Sequence, residues 1–364
     1  MSQEITSEDC KESLKKIIDT DLEKNIVDGG LLKSVEVLAG VINVSLKYEH
    51  AAKSKHAQMR ASIQQTLRSL PGIKRVDVSI EMQVATHSAQ RGVQLIPKVK
   101  NIIAIASGKG GVGKSTTTVN LALALSAEGA RVGVLDADIY GPSIPTMLGI
   151  TGVPESEDGS TIYPKEGHGL QASSIGFLMD KDEAMIWRGP MVTQALEQLL
   201  RQTKWDDLDY LLVDMPPGTG DIHLTLSQRV PVTGAVIVTT PQEIALMDAR
   251  KGLKMFQKVN VPILGIVENM SLHICSKCGH QEHIFGSGGA QKMSDDYGVP
   301  ILGRMPLDMR IREHADDGRP SLVSDPDGEA SLLYKKMARN LSVTIARLTK
   351  DMTHRFPKIV VQAT

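Results

Sequence analysis

The feature that most restricts the fold is a glycine-rich loop between an apolar strand and a helix. Residues 101–117 read NIIAIASGKGGVGKSTT, where the apolar run 102–106 leads into G-x-x-x-x-G-K-S from Gly108 to Ser115. Glycines let backbone N–H groups face inward, and the N-terminus of the next helix adds positive potential, so such a loop binds phosphates. Lys114 is expected to meet the β- and γ-phosphates of a nucleotide, and the Ser115 hydroxyl to hold Mg²⁺.

The chain continues after this loop with a β-then-α pattern. Apolar runs occur at 102–106, 132–135, 210–213, 235–239 and 263–267, separated by stretches of helical periodicity. Continuous apolar strands alternating with helices are typical of a parallel sheet covered on both faces. We therefore predict an α/β fold whose ligands lie beyond the carboxyl ends of the strands.

The residues before the loop predict a separate, small α/β unit over 1–84. A first helix would have Ser7 as its N-cap, and two strands would flank an Ala39–Gly40 turn. Residues 85–100 show no periodicity and are predicted to be a linker, so the second domain is predicted to cover 101–364.

Charge and hydropathy exclude several classes of function. The 364 residues carry a formal net charge of -1 without a long basic run, so nothing indicates binding to nucleic acid or to an anionic membrane. No apolar stretch approaches the roughly 20 residues that span a bilayer. The first residues, MSQEITSEDCKESLKK, lack the apolar core of a signal peptide. We expect a cytoplasmic protein.

Three aspartates follow predicted strands and are candidates for the metal and water chemistry of a nucleotide site. Asp136 and Asp138 follow the strand at 132–135, and Asp214 follows the strand at 210–213. Asp214 suits the carboxylate that holds the Mg²⁺ shell, whereas Asp138 lies farther along its loop and could orient the attacking water. The alternative for each is a cap of the following helix.

A C-x-x-C motif allows three kinds of chemistry. The chain has three cysteines, and Cys275 and Cys278 lie in HICSKCGHQEHIF. Zinc could be bound with His280 and His283, although a His–His gap of two residues is shorter than usual. A dithiol redox pair would require a thioredoxin-like strand and helix around the motif. An iron–sulfur cluster generally needs four thiolates, of which one chain offers two together.

The motifs together resemble those of the deviant-Walker ATPases, the class of MinD, ParA and the nitrogenase iron protein, whose mark is a lysine at the position of Lys109. Within that class the chain is similar to the Mrp-type (ApbC-like) iron–sulfur cluster carriers over roughly residues 100–325. The matching segments are GKGGVGKST, LDADIYGPSIP, WRGPMV, DMPPGTGDIHLTLSQ, VENMS, CSKCG, IFGSGGA and GVPILGRMPLD. The N-terminal unit resembles the PaaD-like domain of bacterial members, but KYEHAAKSKHAQM lacks the cysteine that this domain usually carries.

This resemblance implies a P-loop NTPase fold and a homodimer that binds ATP, Mg²⁺ and a [4Fe–4S] cluster. Lys109 would reach the nucleotide of the facing subunit, the alternative being a solvated loop lysine. The cluster would be held between subunits by Cys275 and Cys278 of each chain and transferred to apoproteins under ATP turnover. Asn269 would contact the adenine, or serve only as a helix cap. From their place after the strand at 235–239, Pro241 and Gln242 are expected to border the base or ribose, and residues 303–308 to lend backbone groups to the adenine.

The resulting set of site residues has three parts. The predicted catalytic residues are Lys109, Lys114 and Asp138; the predicted nucleotide-binding residues are Gly108, Lys109, Gly110, Gly111, Val112, Gly113, Lys114, Ser115, Thr116, Asp136, Asp214 and Asn269; the predicted metal ligands are Cys275 and Cys278 for the cluster and Ser115 for Mg²⁺. Two other functions remain open. A positioning ATPase of the ParA/MinD kind would act on DNA or membrane, and a nucleotide-dependent scaffold would bind ATP without turnover.

Overall fold

The N-terminal part of the chain is a three-stranded sheet with helices packed on its buried face. The computed structural model describes residues 5–87, 94–178, 189–275 and 277–348. The first elements are α1 (Ser7–Leu14), β1 (Ile18–Asp19), β2 (Lys24–Asn25), β3 (Leu32–Leu38), β4 (Val41–Tyr48), α2 (His56–Arg68) and β5 (Arg75–Met82). Strand β4 is central, antiparallel to β3 and parallel to β5.

Two local predictions for this unit have different outcomes. The turn between β3 and β4 is confirmed: Ala39 and Gly40 both have positive φ, as a tight hairpin turn requires. The predicted cap of α1 is wrong by one residue. Thr6, not Ser7, accepts the Asp9 N–H, and the Asp9 carboxylate accepts the Thr6 N–H in return. This reciprocal capping box starts the helix at Ser7, one residue earlier than a cap at Ser7 would.

The larger part of the chain is built on one eight-stranded sheet in the order β15-β12-β11-β6-β10-β7-β9-β8. Neighbouring strands in this sheet run parallel to each other, except that β8 is antiparallel to β9. The elements are β6 (Val99–Ala106), α3 (Lys114–Ala127), β7 (Val132–Asp136), α4 (Ile144–Met147), β8 (Lys165–Gly167), β9 (Leu170–Ser174), α5 (Gly189–Gln202), β10 (Leu208–Asp214), α6 (Asp221–Arg229), β11 (Gly234–Thr239), α7 (Glu243–Lys258), β12 (Ile263–Glu268), β13 (His273–Ile274), β14 (Gln281–Glu282), α8 (Gly289–Tyr297), β15 (Ile301–Arg304), α9 (Met309–Asp316), α10 (Ser321–Ser324) and α11 (Glu329–Ala346).

Helices cover both faces of this sheet, so the predicted fold class is confirmed. Along β6, Ile103 and Ile105 join one hydrophobic cluster with α3 and α11, whereas Ile102 and Ala104 join the other with α5, α7 and α8. The five apolar runs correspond to β6, β7, β10, β11 and β12. Among the described residues, no helix combines the length and apolar character needed to cross a bilayer. Trp187, Arg188 and residues 349–364 lie outside the described part of the chain.

The predicted linker and the start of the large sheet overlap. Strand β6 begins at Val99, where it pairs with Leu208 of β10, so the last two residues predicted as linker belong to the sheet. The sheet order places β6 between β10 and β11, and the glycine-rich loop therefore leaves from the middle of the sheet. The central strand β6 is buried on both faces, so the loop begins directly from the core of the domain.

Buried polar groups join the N-terminal unit to the large domain at the far end of α3. Glu128, the C-cap of α3, is fully buried and accepts hydrogen bonds from the Ser54 N–H at 2.9 Å and the Ser54 hydroxyl at 2.7 Å. Arg339 of α11 donates to Glu128 Oε1 at 2.6 Å and lies 3.2 Å from the Asp21 carboxylate. The Lys53 N–H also caps the Glu128 carbonyl. The two parts of the chain thus share one ionic network.

We predict that Arg339→Met lowers the free energy of unfolding by about 3 kcal/mol, since it leaves two buried carboxylates without their cation. Urea unfolding of the full chain measures this. The double variant Glu128→Gln/Arg339→Met should recover part of the loss, because a neutral amide costs less to bury than an unpaired carboxylate. Arg312→Met, which breaks an exposed pair with Asp316, should cost about 0.5 kcal/mol or less. Equal losses for Arg339→Met and Arg312→Met would contradict the ionic account.

Candidate functional site

The glycine-rich loop leaves the N-terminus of α3 open to an anion. Gly113 is the N-cap of α3 in a left-handed conformation, with φ 82°, and no side chain caps the helix there. The first N–H groups of the helix therefore remain for a ligand. A Cβ at Gly113 would overlap the Asn269 amide, and a Cβ at Gly108 would overlap the backbone of Asp248. Glycine is thus required at both positions for close packing.

Asp214 receives three hydrogen bonds from the first turns of α3. Its Oδ2 accepts from Lys114 Nζ at 2.8 Å and from Ser115 Oγ at 2.6 Å. Its Oδ1 accepts from Thr118 Oγ1 at 2.6 Å. Asp214 is fully buried and Lys114 is 6% exposed. The structure therefore brings together the lysine, serine and carboxylate that the sequence assigned to phosphate and Mg²⁺.

A second buried carboxylate lies beside the first. Asp136 and Asp214 are register partners at the ends of β7 and β10. Asp136 accepts hydrogen bonds from the N–H groups of Asp138 and Ile144 and from the Ser174 hydroxyl. Burial raises the pKa of Asp136 well above its ordinary value, and the charge of Asp214 raises it further. Two adjoining carboxylates of this kind form an oxygen donor set that suits a divalent cation.

Asp138 lies at the rim of the same group. Its Oδ2 is 3.7 Å from Lys114 Nζ. Burial raises the pKa of Asp138, and the charge of Lys114 opposes that rise. Lys114 is thus the nearby cation for three carboxylates, which leaves this edge of the sheet short of positive charge.

Sequence reasoning missed two polar residues of this network. Thr118 donates to Asp214 and Ser174 donates to Asp136, and both side chains are buried. Thr118 lies four residues after Lys114, so a helical projection of the loop's helix could have placed it on the same face. Ser174 ends β9, whose sequence is largely polar. This strand has no apolar run from which it could be predicted.

The second lysine of the loop has a different environment from the first. Lys109 is exposed, and among the described residues its ammonium has no ion-pair partner. Ile244 and Met247, three residues apart on α7, are 66% and 50% exposed. They lie beside the loop, because Gly108 packs on the backbone of Asp248. An exposed lysine and an exposed apolar stripe therefore adjoin the phosphate loop.

Asn269 connects the loop to the following strand. Its side-chain amide donates to the Val112 carbonyl at 2.9 Å, and its N–H donates to the Thr239 carbonyl at 2.8 Å. Residues 303–308 run alongside, with Met305 N–H donating to the Glu268 carbonyl. Pro241 and Gln242 precede α7. Their contacts with a base stay predictions.

The two cysteines lie at the tip of a short hairpin. Strands β13 and β14 pair antiparallel, and the Cys275 N–H donates to the His280 carbonyl across the turn. Cys278 is exposed and Cys275 half-buried. The backbone N–H groups of Lys277 and Cys278 lower the pKa of the Cys275 thiol, which favours the thiolate needed for metal binding.

Two histidines join this hairpin to the rest of the domain by hydrogen bonds from Nδ1. His283 donates from Nδ1 to the Ser271 carbonyl at 2.8 Å, and His273 donates from Nδ1 to the Leu307 carbonyl at 3.2 Å. In the part of the chain that the structure describes, no three His, Cys, Asp or Glu side chains converge as a metal site. The zinc set Cys275, Cys278, His280 and His283 is therefore not assembled within one chain.

We predict that Asp136→Asn reduces the pH dependence of stability of the ligand-free protein. A carboxyl whose pKa is raised on folding binds its proton more tightly when folded, so stability falls as pH rises above about 4. In EDTA, the free energy of unfolding in urea should fall between pH 5.5 and pH 8. This fall should be about 1–2 kcal/mol smaller in the variant than in the parent. The exposed control Asp296→Asn should behave like the parent. An unchanged loss in Asp136→Asn would show that this carboxyl keeps an ordinary pKa.

Comparison with known proteins identifies the family. The family described as NUBPL iron-transfer P-loop NTPase matches residues 98–342, and that described as iron–sulfur cluster assembly protein matches residues 7–80. The iron–sulfur cluster carrier protein of Haemophilus influenzae is 53% identical over 325 residues, 89% of this chain and 88% of that protein. The iron–sulfur cluster transfer protein NUBPL of Mus musculus is 52% identical over 245 residues, 67% of this chain and 77% of that protein.

Solved structures agree with the fold. The nucleotide-binding protein of Archaeoglobus fulgidus, in complex with ADP, is 37% identical with a TM-score of 0.56, covering 64% of this chain and 90% of its own. The cell division ATPase MinD of Pyrococcus furiosus is 25% identical with a TM-score of 0.51, covering 66% of this chain and 98% of its own. The chain therefore belongs to the NUBPL-type iron-transfer P-loop NTPases of the MinD/ParA class.

Proposed function

We propose that this protein is a homodimeric ATPase that carries a [4Fe–4S] cluster and transfers it to apoproteins. The main support for this proposal is that the cysteine hairpin of one chain offers too few ligands to hold a cluster. One chain offers two adjacent thiols, and no other His, Cys, Asp or Glu among the described residues completes a site. A twofold-symmetric dimer brings two copies of the same motif together and supplies four thiolates.

The nucleotide site is supported by the loop and its carboxylates. The free N-terminus of α3 and Lys114 would bind the phosphates of ATP. Ser115 and Asp214, 2.6 Å apart, would hold Mg²⁺, which neutralises phosphate charge when bound. On binding, Lys114 would exchange part of its contact with Asp214 for the phosphates. The shortage of positive charge beside Asp136 is what such a cation relieves.

Turnover would use residues from both chains. Asp138 lies 3.7 Å from Lys114 at the rim of the site, which suits a group that orients the attacking water. The exposed Lys109 would act on the nucleotide of the facing subunit, where added positive charge stabilises the charge developing on the transferred phosphoryl group. The exposed Ile244 and Met247 beside the loop supply apolar area for the subunit contact.

The cysteine hairpin would be linked to the nucleotide site through Asn269. Its amide bonds the loop at Val112, and the hairpin strand β13 begins four residues later. A change in subunit packing would therefore act on both sites, and by reciprocity cluster binding would affect nucleotide binding. We infer that ATP turnover loads or releases the cluster.

We predict that Lys109→Ala lowers ATP turnover about 1,000-fold, the scale of a trans-acting cation, while the affinity for Mg·ATP stays within about threefold. Phosphate release and equilibrium binding of a fluorescent ATP analogue measure the two quantities. Lys114→Ala should lose affinity as well, because this lysine contacts the phosphates in its own chain. The exposed control Lys292→Ala should resemble the parent. Equal losses of affinity and turnover in Lys109→Ala would contradict a role in trans.

We predict that anaerobic reconstitution gives about two iron and two sulfide ions per chain, as a [4Fe–4S] cluster shared by a dimer requires. Cys275→Ala and Cys278→Ala should each abolish the cluster. Cys10→Ala is the matched control, because this thiol is buried in the N-terminal core and should leave the iron content unchanged. One zinc per chain after purification would contradict the assignment.

A further inference from the structure

A buried histidine near the nucleotide site has no role in the arrangement described so far. His223, in the first turn of α6, is 2% exposed. Among the described residues, neither of its ring nitrogens forms a hydrogen bond of normal geometry. A buried polar group without a partner destabilises the fold, so a protein that keeps one is expected to use it in another state.

The ring faces the loop that follows Asp214. Its polar neighbours are the backbone carbonyls of Pro217 and Pro216, which lie within loose hydrogen-bonding reach of the ring, and the ammonium of Lys114. Burial lowers the pKa of His223, the two carbonyls oppose this, and the Lys114 charge adds to it. The imidazole is therefore neutral near pH 7 and has one N–H to donate. A proline carbonyl can only accept.

Residues 215–220, which we call the proline loop, lie directly on the phosphate loop. The Met215 N–H donates to the Ile105 carbonyl and the Gly218 N–H to the Ser107 carbonyl, both at 3.0 Å. Pro217 is the side chain nearest to Gly110, 3.9 Å from the position of a Cβ there. Gly218 has φ 104°, a conformation that L side chains rarely adopt. The proline loop is thus placed to respond to a phosphate bound at the glycines.

We propose that His223 is a positioning residue whose loose contact with the Pro217 carbonyl becomes a well-formed hydrogen bond from the ring N–H once a nucleotide is bound, and so holds the proline loop against the phosphates. The inference rests on the proposed ATP turnover. The tightened bond would satisfy one of the two buried ring nitrogens and fix the backbone between Asp214 and α6 in one position. His223 would not touch the nucleotide.

The direct test is amide hydrogen exchange of the proline loop. Mg²⁺ with a non-hydrolysable ATP analogue should slow exchange at Met215, Gly218, Thr219 and Gly220 in the parent protein. His223→Leu fills the buried space with an apolar side chain but removes the donor, so the slowing of exchange should be about tenfold smaller in this variant. His223→Gln, whose amide can donate, should restore most of it. His314→Leu is the control, because His314 also has a buried ring nitrogen without a partner but lies on α9.

Steady-state turnover supplies the second readout. His223→Leu should lower kcat about tenfold with KM for ATP within about twofold, and His223→Gln should stay within about threefold of the parent. Equal exchange in all variants, or equal effects of Leu and Gln, would overturn the proposal. A parent that protects the loop through His223 but releases no phosphate would contradict the proposed ATPase instead, while supporting the positioning role.

Discussion

The junction between the sheet and the phosphate loop depends on the carboxylate of Asp214. Asp214 ends β10, and its carboxylate accepts hydrogen bonds from three side chains of α3. These bonds hold the start of the helix against β10. Asp136 adjoins Asp214 on the neighbouring strand, and Lys114 is the cation that both share. The two carboxylates are well hydrogen-bonded, but one lysine does not neutralise both. A divalent cation bound with its nucleotide would supply the missing positive charge.

The parts of this site that could be predicted from the sequence are those whose residues are adjacent along the chain. The phosphate loop is specified by local backbone requirements, so Gly113 and Lys114 could be recognised without the fold. The five apolar strands could be recognised because central parallel strands are buried on both faces. Strand β15 is short, β8 lies at the edge, and β9 is largely polar, so their pairing depends on neighbours that the sequence does not reveal.

Contacts between distant segments could not be predicted in the same way. Ser174, for example, reaches Asp136 from the neighbouring strand β9. Asn269 could be predicted as a site residue from its place after a strand, but its bond to the Val112 carbonyl depends on the order of β12, β11 and β6. The same holds for Glu128 and Arg339, whose pairing joins the two parts of the chain.

In the proposed function, both binding sites are halves that a second copy completes. Among the residues that the structure describes, the exposed Lys109 and the paired thiols each lack a counterpart, and an apolar stripe lies beside the phosphate loop. A common subunit contact would explain why a nucleotide and a cluster are handled by one protein, since any change in that contact acts on both.

The most direct measurement is turnover by a purified heterodimer, with one subunit carrying Lys109→Ala and the other Lys114→Ala under different affinity tags. The first subunit keeps its own Lys114 and would receive Lys109 from its neighbour, so one complete site is restored from two defective homodimers. The account predicts about half of the parental rate per dimer. A heterodimer no more active than either homodimer would show that the catalytic groups act within one chain.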